Sequence, residues 1–333
     1  MRMKFGERFG ITLFGESHSP LLGVKIEGIP PSVTICSSDF TVDLTRRRGG
    51  SFATTPRVEE DIPIIEPIKD GVLSISFLNT NIRPSDYACF KRHPRPGHAD
   101  FTAAVKFGSD YSSTGGGIFS GRMTLPLVAA GVVAKKIIAT RGVAVKSGIV
   151  EIGGIPVPGE FVNSPLDFPP VRELVERVVA EGDSIGAIIG AEAVGVPAGL
   201  GEPFFDSLES RLAHILFSIP GIRGVEFGDG FNASRMRGSE HNDPIVSSSG
   251  KTSKNGCGGI NGGISNGNPI IFRVAAKPTS TISVPQMTFD FEKMEMAPLV
   301  GKGRHDVCFA LRLPPVVEAA CAIVLADNFL MTE

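Results

Sequence analysis

Apolar and polar residues alternate over Phe9–Phe14 and again over Gly23–Glu27, the period of a half-buried strand, and the polar run "GESHSPL" reads as their connection. Over Ser38–Arg48 the spacing becomes helical, with Ser38 as a candidate N-cap, and Val72–Leu78 returns to a strand. The clearest helix is Thr124–Thr140, "TLPLVAAGVVAKKIIAT", small and apolar with two lysines near its end. So little polar surface predicts a helix packed closely against other elements. Strands at Gly142–Gly154 and Gly186–Val196 flank an amphipathic helix at Pro170–Gly182. A helix at Asp206–Phe217, strands at Pro269–Ala275 and Ile282–Val284, and a closing apolar helix at Pro314–Asn328 complete the pattern. A strand, strand, helix order is thus met twice, once in each half, without evident sequence similarity between the halves. No Ser/Pro-rich or low-complexity stretch divides the chain, so the expectation is one integrated α/β (α+β) domain over residues 1–333.

Composition narrows the class. At 333 residues the chain is larger than one core usually supports, which calls for two lobes or one large layered domain. A hydrophobic fraction of 42% and a net charge of -2 leave no global field to hold DNA or a membrane surface. Polyanion binding must therefore be local. Five cysteines, odd in number and without a CxxC pair, suit free thiols in a reducing cytoplasm. Met1–Ile11 has no apolar run of a signal peptide, and Leu125–Val133 is too short to cross a bilayer.

The 40 glycines cluster, most densely in "STGGGIFSGRM" at Ser113–Met123. Consecutive glycines let backbone N–H groups approach an anion, and Arg122 adds a planar fork for phosphate or carboxylate. The spacing is not that of a nucleotide P-loop, and the stretch alone reads more readily as a glycine turn entering a buried helix. Among six histidines, His18 in "GESHS" and His98 in "RPGHAD" lie in polar loops. Arg95 and Asp100 flank His98, and an imidazole between a cation and a carboxylate is placed to exchange a proton with a bound anion. His214 falls on a helix face and reads as structural; His93, His241 and His305 stay open. No HxxxH, HExxH or paired-cysteine spacing supports a metal site, and "GESHS" lacks the nucleophile elbow of a hydrolase. "TRRRGG" puts Arg46, Arg47 and Arg48 at a helix end, where the helix dipole alone favours cations. Arg95, Arg122 and Arg304, however, sit in separate loops, and "KPTST" adds Lys277 and hydroxyls. Several loops each bringing one cation suit a small substrate with several anionic groups.

Taken together and in order, "GESHS", "RRRGG", "RPGHAD", "GDSIGA", "PAGLGEP", "GGINGGISNG", "KPTST" and "GRHD" resemble the motifs of the chorismate synthase family across nearly the whole chain. The resemblance implies a β-α-β sandwich, with helices enclosed between two mainly antiparallel sheets, assembled as a homotetramer. It implies a lyase that removes phosphate and a proton from 5-enolpyruvylshikimate 3-phosphate by 1,4-anti elimination, with reduced FMN as cofactor. By the same resemblance His18 would assist the departing phosphate, His98 would maintain the protonation state of the flavin, and Asp306 would take the ring proton. Ser17, Arg48, Arg95 and Arg122 match substrate-contacting positions. Ser120, Pro220, Gly221, Asn242, Gly262, Lys277, Pro278, Thr279, Ser280, Thr281 and Arg304 match flavin positions. Arg47 matches a position associated with NADPH as electron source; a separate flavin reductase is the alternative partner.

The chain departs from that pattern in the glycine loop, where "GGIFSGRMT" replaces "GGRSSARET" and puts Ile118, Phe119 and Gly121 at the positions of an arginine, a serine and an alanine. After "RRRGG" the loop "SFATTPR" keeps only Arg57 of several arginines. Each lost charge-assisted bond removes about 1.5–3 kcal/mol. The competing readings are thus a family member that binds flavin or phosphorylated ligand without efficient turnover, and, against the missing P-loop lysine, a nucleotide-dependent kinase or transferase.

Overall fold

The computed structural model describes residues 3–108, 111, 114–301 and 303–332. The first sheet is antiparallel, in the order β1 (Lys4–Phe5), β2 (Ile11–Gly15), β3 (Leu21–Glu27), β5 (Val72–Leu78) and β4 (Ile64–Ile65). Ile11 pairs with Ile26 and Val24 with Ile75, so the alternate apolar residues form one buried face. The second sheet, also antiparallel, runs β7 (Ile155–Pro156), β6 (Ala144–Ile152), β8 (Ala187–Val194), β12 (Ile270–Ala276) and β9 (Ile222–Phe227). Two hairpins stand outside the sheets: β10 (Ile260–Asn261) with β11 (Ile264–Ser265), and β13 (Gln286–Asp290) with β14 (Glu295–Leu299).

Two long helices, α3 (Thr124–Ala139) and α7 (Pro314–Met331), lie between the sheets, α3 against β3 and β5, α7 against β6 and β8. This is the sandwich the resemblance implied. Both helices are apolar all round because each has protein on every side. They approach closely only because position 131 lacks a side chain: a Cβ on Gly131 would lie 2.1 Å from that of Ala319. The acids of α7 are satisfied where they are buried. Glu318 accepts from Arg46 (2.8 Å) and Lys135 (2.6 Å), and Asp327 accepts the backbone N–H groups of Glu7, Arg8 and Phe9, tying the N-terminal turn to the core. A contiguous cluster of buried apolar side chains joins both sheets to this helix pair.

The flanking helices are α1 (Thr41–Arg47), α2 (Asp100–Phe107), α4 (Pro169–Glu181), α5 (Leu208–Ser218) and α6 (Gly238–His241). Val72–Leu78 is a strand as predicted, and α3, α4, α5 and α7 fall within a few residues of their predicted bounds. Ser207 caps α5 by accepting from Ser210 N at 3.0 Å, and Gly182 ends α4 in the left-handed region at φ 71°.

Some expectations fail. Ser38 does not cap α1; it lies within a short 3-10 turn, Ser37–Phe40, whose first N–H groups are held by Asp39 accepting from Cys36 N at 2.8 Å. Ile282–Val284 is not a strand, because Ile282 O accepts from Gly301 N while Ser283 N donates to Gly182 O, two different neighbours and no ladder. β9, α2 and the β13–β14 hairpin were not predicted. β9 is short and half-buried, and Pro298 masks β14. The longest apolar element is α7, not the start of α3: among the described residues it is the one helix long and apolar enough to cross a membrane, and it is 89% buried within the protein.

Candidate active site

Loops from both sheets converge on two adjoining cavities. The larger, of about 550 Å³, is walled by the glycine run from Gly115 to Gly121, the Pro220–Gly221 turn before β9, Lys277–Thr281 after β12, His98, and Arg304–Asp306. The smaller, of about 100 Å³, is walled by Ser17, Thr55, Glu59, Asp61 and six arginines: Arg47, Arg48, Arg57, Arg122, Arg304 and Arg312. Tyr87, Gly115, Ser120, Gly121, Arg304 and Asp306 belong to both walls, so the two cavities share a boundary.

The glycine run builds the partition. Gly115, Gly116 and Gly117 all have positive φ (62°, 85° and 51°), a conformation that L side chains rarely adopt. A Cβ on Gly115 would lie 2.0 Å from the His18 ring, so this glycine is required twice, by its backbone and by its neighbour. Gly117 O then accepts from Ser17 N (3.3 Å) and Ser120 N (3.4 Å), and the chain enters α3 through a turn in which Ser120 Oγ accepts from Arg122 N at 3.2 Å. The stretch is a turn into a buried helix, as one reading of the sequence has it, and it also walls both cavities.

In the smaller cavity the arginines are held by a short set of acceptors. Arg122 donates to Asn79 Oδ1 (3.1 Å), to Asp61, and to Glu59 Oε2 (3.4 Å). Arg57 donates from Nε to Glu59 Oε1 (2.7 Å) and from Nη1 to Ser17 Oγ (3.1 Å). Arg47, only 2% exposed, donates to Thr124 Oγ1 (3.0 Å) and Gly121 O (2.8 Å). Arg48 donates to Glu60 O, and its buried Nε has no partner. Arg312 Nη1 grips Asp306 at 3.0 and 3.1 Å, and Thr55 N adds a bond of 2.9 Å to the same carboxylate. Six guanidiniums face three carboxylates (Glu59, Asp61 and Asp306), a surplus of three positive charges.

In the larger cavity His98 is walled in by its own loop. Its Nδ1 lies 2.7 Å from Asp100 Oδ1, and Arg95 clamps the same carboxylate through Nε (2.7 Å) and Nη2 (2.8 Å). Burial pushes the His98 pKa down; Asp100 opposes this, while Arg95 and Lys277 add to it. Lys277 Nζ donates to Gly97 O and Ser280 Oγ, both at 2.7 Å, and burial lowers its pKa as well. Arg304 is aimed by Asn81, whose Oδ1 and O accept at 2.7 and 2.9 Å. Thr279 Oγ1 and His305 Nδ1 are buried without partners. Ile118 and Phe119 supply apolar wall where the family pattern has an arginine and a serine.

Most of the sequence-predicted residues come together here: His98, Ser120, Pro220, Gly221, the Lys277–Thr281 run, Arg304 and Asp306 around the larger cavity, and Ser17, Arg48 and Arg122 around the smaller. Five do not sit as expected. His18 walls neither cavity; it stands behind Gly115, with Nδ1 3.2 Å from Ser17 Oγ and Nε2 accepting from Arg83 N at 3.3 Å. Arg95 lines the larger cavity, not the smaller, but it spends its fork on Asp100 and Thr281 and is only 7% exposed, so it braces His98. Arg47, in the wall of the smaller cavity, is only 2% exposed and spends its donors on Thr124 and Gly121. Asn242, after α6, and Gly262, in the β10–β11 turn, wall neither of the two cavities. Sequence reasoning singled out Asp100 beside His98 but missed Glu59, Asp61, Asn79 and Arg312 as site-building residues. Only Asp100, two residues from His98, carried a local signal. His214 lies on α5 outside both cavities, exposed and edge-on to Phe5 at 5.4 Å.

In this two-sheet sandwich an arginine-walled cavity opens beside a glycine-walled one, a lining chemically suited to a small, multiply anionic molecule. Comparison with known proteins gives the class a name. The family model of chorismate synthase matches residues 9–330. A chorismate synthase of Chitinophaga pinensis is 47% identical over 99% of this chain and 97% of its own length, and one of Dehalococcoides mccartyi is 42% identical over 98% and 96%. A crystal structure of chorismate synthase superposes with a TM-score of 0.73 at 26% identity, covering 98% of this chain and 93% of the other. The chain belongs to the chorismate synthase family, lyases of aromatic amino-acid biosynthesis that act on a small molecule.

Proposed function

We propose that the two cavities together convert 5-enolpyruvylshikimate 3-phosphate to chorismate and phosphate by 1,4-anti elimination, with reduced FMN in the larger cavity and substrate reaching into the smaller. The observation that carries this reading is the surplus of three positive charges in the smaller cavity, which offsets most of the charge of a phosphate and two carboxylates on one substrate.

The residues of the larger cavity fit a flavin nucleotide. Lys277, Ser280, Thr281 and Arg304 offer donors, the Pro220–Gly221 turn offers close backbone approach, and the orphaned Thr279 Oγ1 and His305 Nδ1 each lack the partner that a buried polar atom requires. Reduced FMN, when bound, supplies electron density for loss of the allylic phosphate, with no net consumption of electrons. Arg48, Arg57 and Arg122 neutralise the departing phosphate. His18, set behind the wall, acts on it through Ser17, whose Oγ lies between the imidazole and Arg57. Asp306, fixed by Arg312 and Thr55 N at the boundary of the cavities, accepts the ring proton. His98 sets the protonation state on the flavin side. The retained His18, His98 and Asp306 favour turnover over a binding-only role.

The burial of Arg47 favours a separate flavin reductase over an NADPH site at that residue. We read the chain as a single cytoplasmic domain that assembles as a homotetramer. The contiguous core supports the first, and exposed apolar residues such as Phe205 (91%), Phe231 (76%) and Ile245 (73%) support the second; the last two flank Asn242 in the same segment. Anaerobic addition of 5-enolpyruvylshikimate 3-phosphate to protein with chemically reduced FMN is expected to release phosphate. No release, with the flavin demonstrably bound, sinks the proposal.

A further inference from the structure

We propose that Asp100 is a positioning residue that fixes the tautomer of His98, placing the proton on Nδ1 and turning a basic Nε2 toward the larger cavity. Asp100 is the first residue of α2, only 5% exposed, and its carboxylate is held in place from two directions. Arg95 contributes Nε to Oδ2 at 2.7 Å, Nη2 to Oδ1 at 2.8 Å and its backbone N to Oδ2 at 3.1 Å. Arg95 is itself braced by Thr281 Oγ1 at 3.0 Å and lies over the Phe90 ring at 4.4 Å. Such a carboxylate cannot turn away from the imidazole.

The Nδ1 of His98 has two neighbours that would impose opposite tautomers. Asp100 Oδ1, at 2.7 Å, requires Nδ1–H; Arg95 Nη2, at 3.0 Å, would require a bare Nδ1 and place the proton on Nε2. Nη2 already donates to Oδ1, and the carboxylate contact is the shorter and charge-assisted, so it decides. The other face of the ring looks past Gly116, where a Cβ would lie 3.6 Å from Nε2, into the cavity. The remaining charged groups near the ring are Arg95 and Lys277, both cationic, which disfavour a second proton. At neutral pH the ring therefore presents an acceptor to whatever occupies the cavity, and it becomes a donor only on taking a proton.

The inference deepens the proposed role of His98 and rests on that reading, but its test needs no turnover. Nitrogen-15 NMR of histidine-labelled protein reads the tautomer in the wild-type chain, with His98→Gln assigning the signal. The expected result is a neutral ring protonated at Nδ1; a ring protonated at Nε2 overturns the proposal, whatever the activity. In Asp100→Asn, whose amide can donate to Nδ1, the signal is expected to move to the Nε2–H form. Turnover is expected to fall about 10²-fold with substrate KM changed less than threefold. A folded Asp100→Asn that keeps the Nδ1–H signal reduces Asp100 to an anchor for Arg95 and refutes the assignment.

Discussion

Gly115→Ala tests the architecture of the site with a single methyl group. The backbone at this position has φ +62°, which costs an L residue about 1–2 kcal/mol, partly offset by the roughly 0.4–1 kcal/mol gained from a stiffer unfolded chain. The new Cβ would begin 2.0 Å from Cε1 and Nδ1 of His18 and must reach the 3.4 Å of ordinary contact, so the ring or the loop has to move by about 1.4 Å. Overpacking of this kind adds about 1–3 kcal/mol, for a total loss of about 1–5 kcal/mol. The ring cannot yield freely, because Ser17 Oγ, Arg83 N and the Tyr87 ring, edge-on at 5.3 Å, surround it. If His18 has the proposed role, a displacement of this size is expected to lower turnover by about 10²-fold. Gly71→Ala is the control: φ is +76° but a Cβ there meets nothing within 4 Å, so only the backbone cost of about 1 kcal/mol remains and activity is unchanged. Urea melts and phosphate-release kinetics on both variants separate the two contributions. If folded Gly115→Ala matches Gly71→Ala in both stability and turnover, His18 is not held against this glycine and its placement behind the wall is wrong.

Arg57→Ala should raise substrate KM by about 10- to 100-fold, because it removes the guanidinium held on Ser17 Oγ and Glu59 and leaves the buried Glu59 carboxylate short of a partner; steady-state kinetics at fixed flavin would show it, and an unchanged KM would remove Arg57 from the substrate cavity. Phe119→Ala should weaken flavin binding by about tenfold in a fluorescence titration, since the ring supplies apolar wall where the family pattern has a serine; tighter binding would mean that the ring obstructs the cavity instead. Burial depresses His98 and His305 below the ordinary histidine value of 6.5, so the unfolded chain binds more protons than the folded one just below that pH. Stability should be full above about pH 6.5 and decline as the pH falls through the folded values, by at most about 1.4 kcal/mol per pH unit for each histidine. His305→Gln should flatten that slope, and urea melts between pH 5 and 7.5 that show no change of slope would refute the burial argument.

The local part of this protein was written in the sequence. Period and composition placed β5 and α3 almost to the residue, because a two-residue alternation and a continuous small apolar run each have one simple packing solution. The Arg95, His98 and Asp100 group was legible for a similar reason, since all three lie within one turn of chain and need no other element to meet. Everything that joins distant segments was decided by the tertiary structure. Asp306 is fixed by Thr55, 251 positions away; Arg122 depends on Asn79, Asp61 and Glu59; Asn81 aims Arg304. Each of these residues is an ordinary polar side chain in its own loop, and only the closing of two sheets over α3 and α7 makes it part of a cavity. The same physics moved His18 behind the wall and turned Arg95 into a brace, because a buried guanidinium or imidazole takes the partners that packing places next to it, and those cannot be read from the order of residues along the chain.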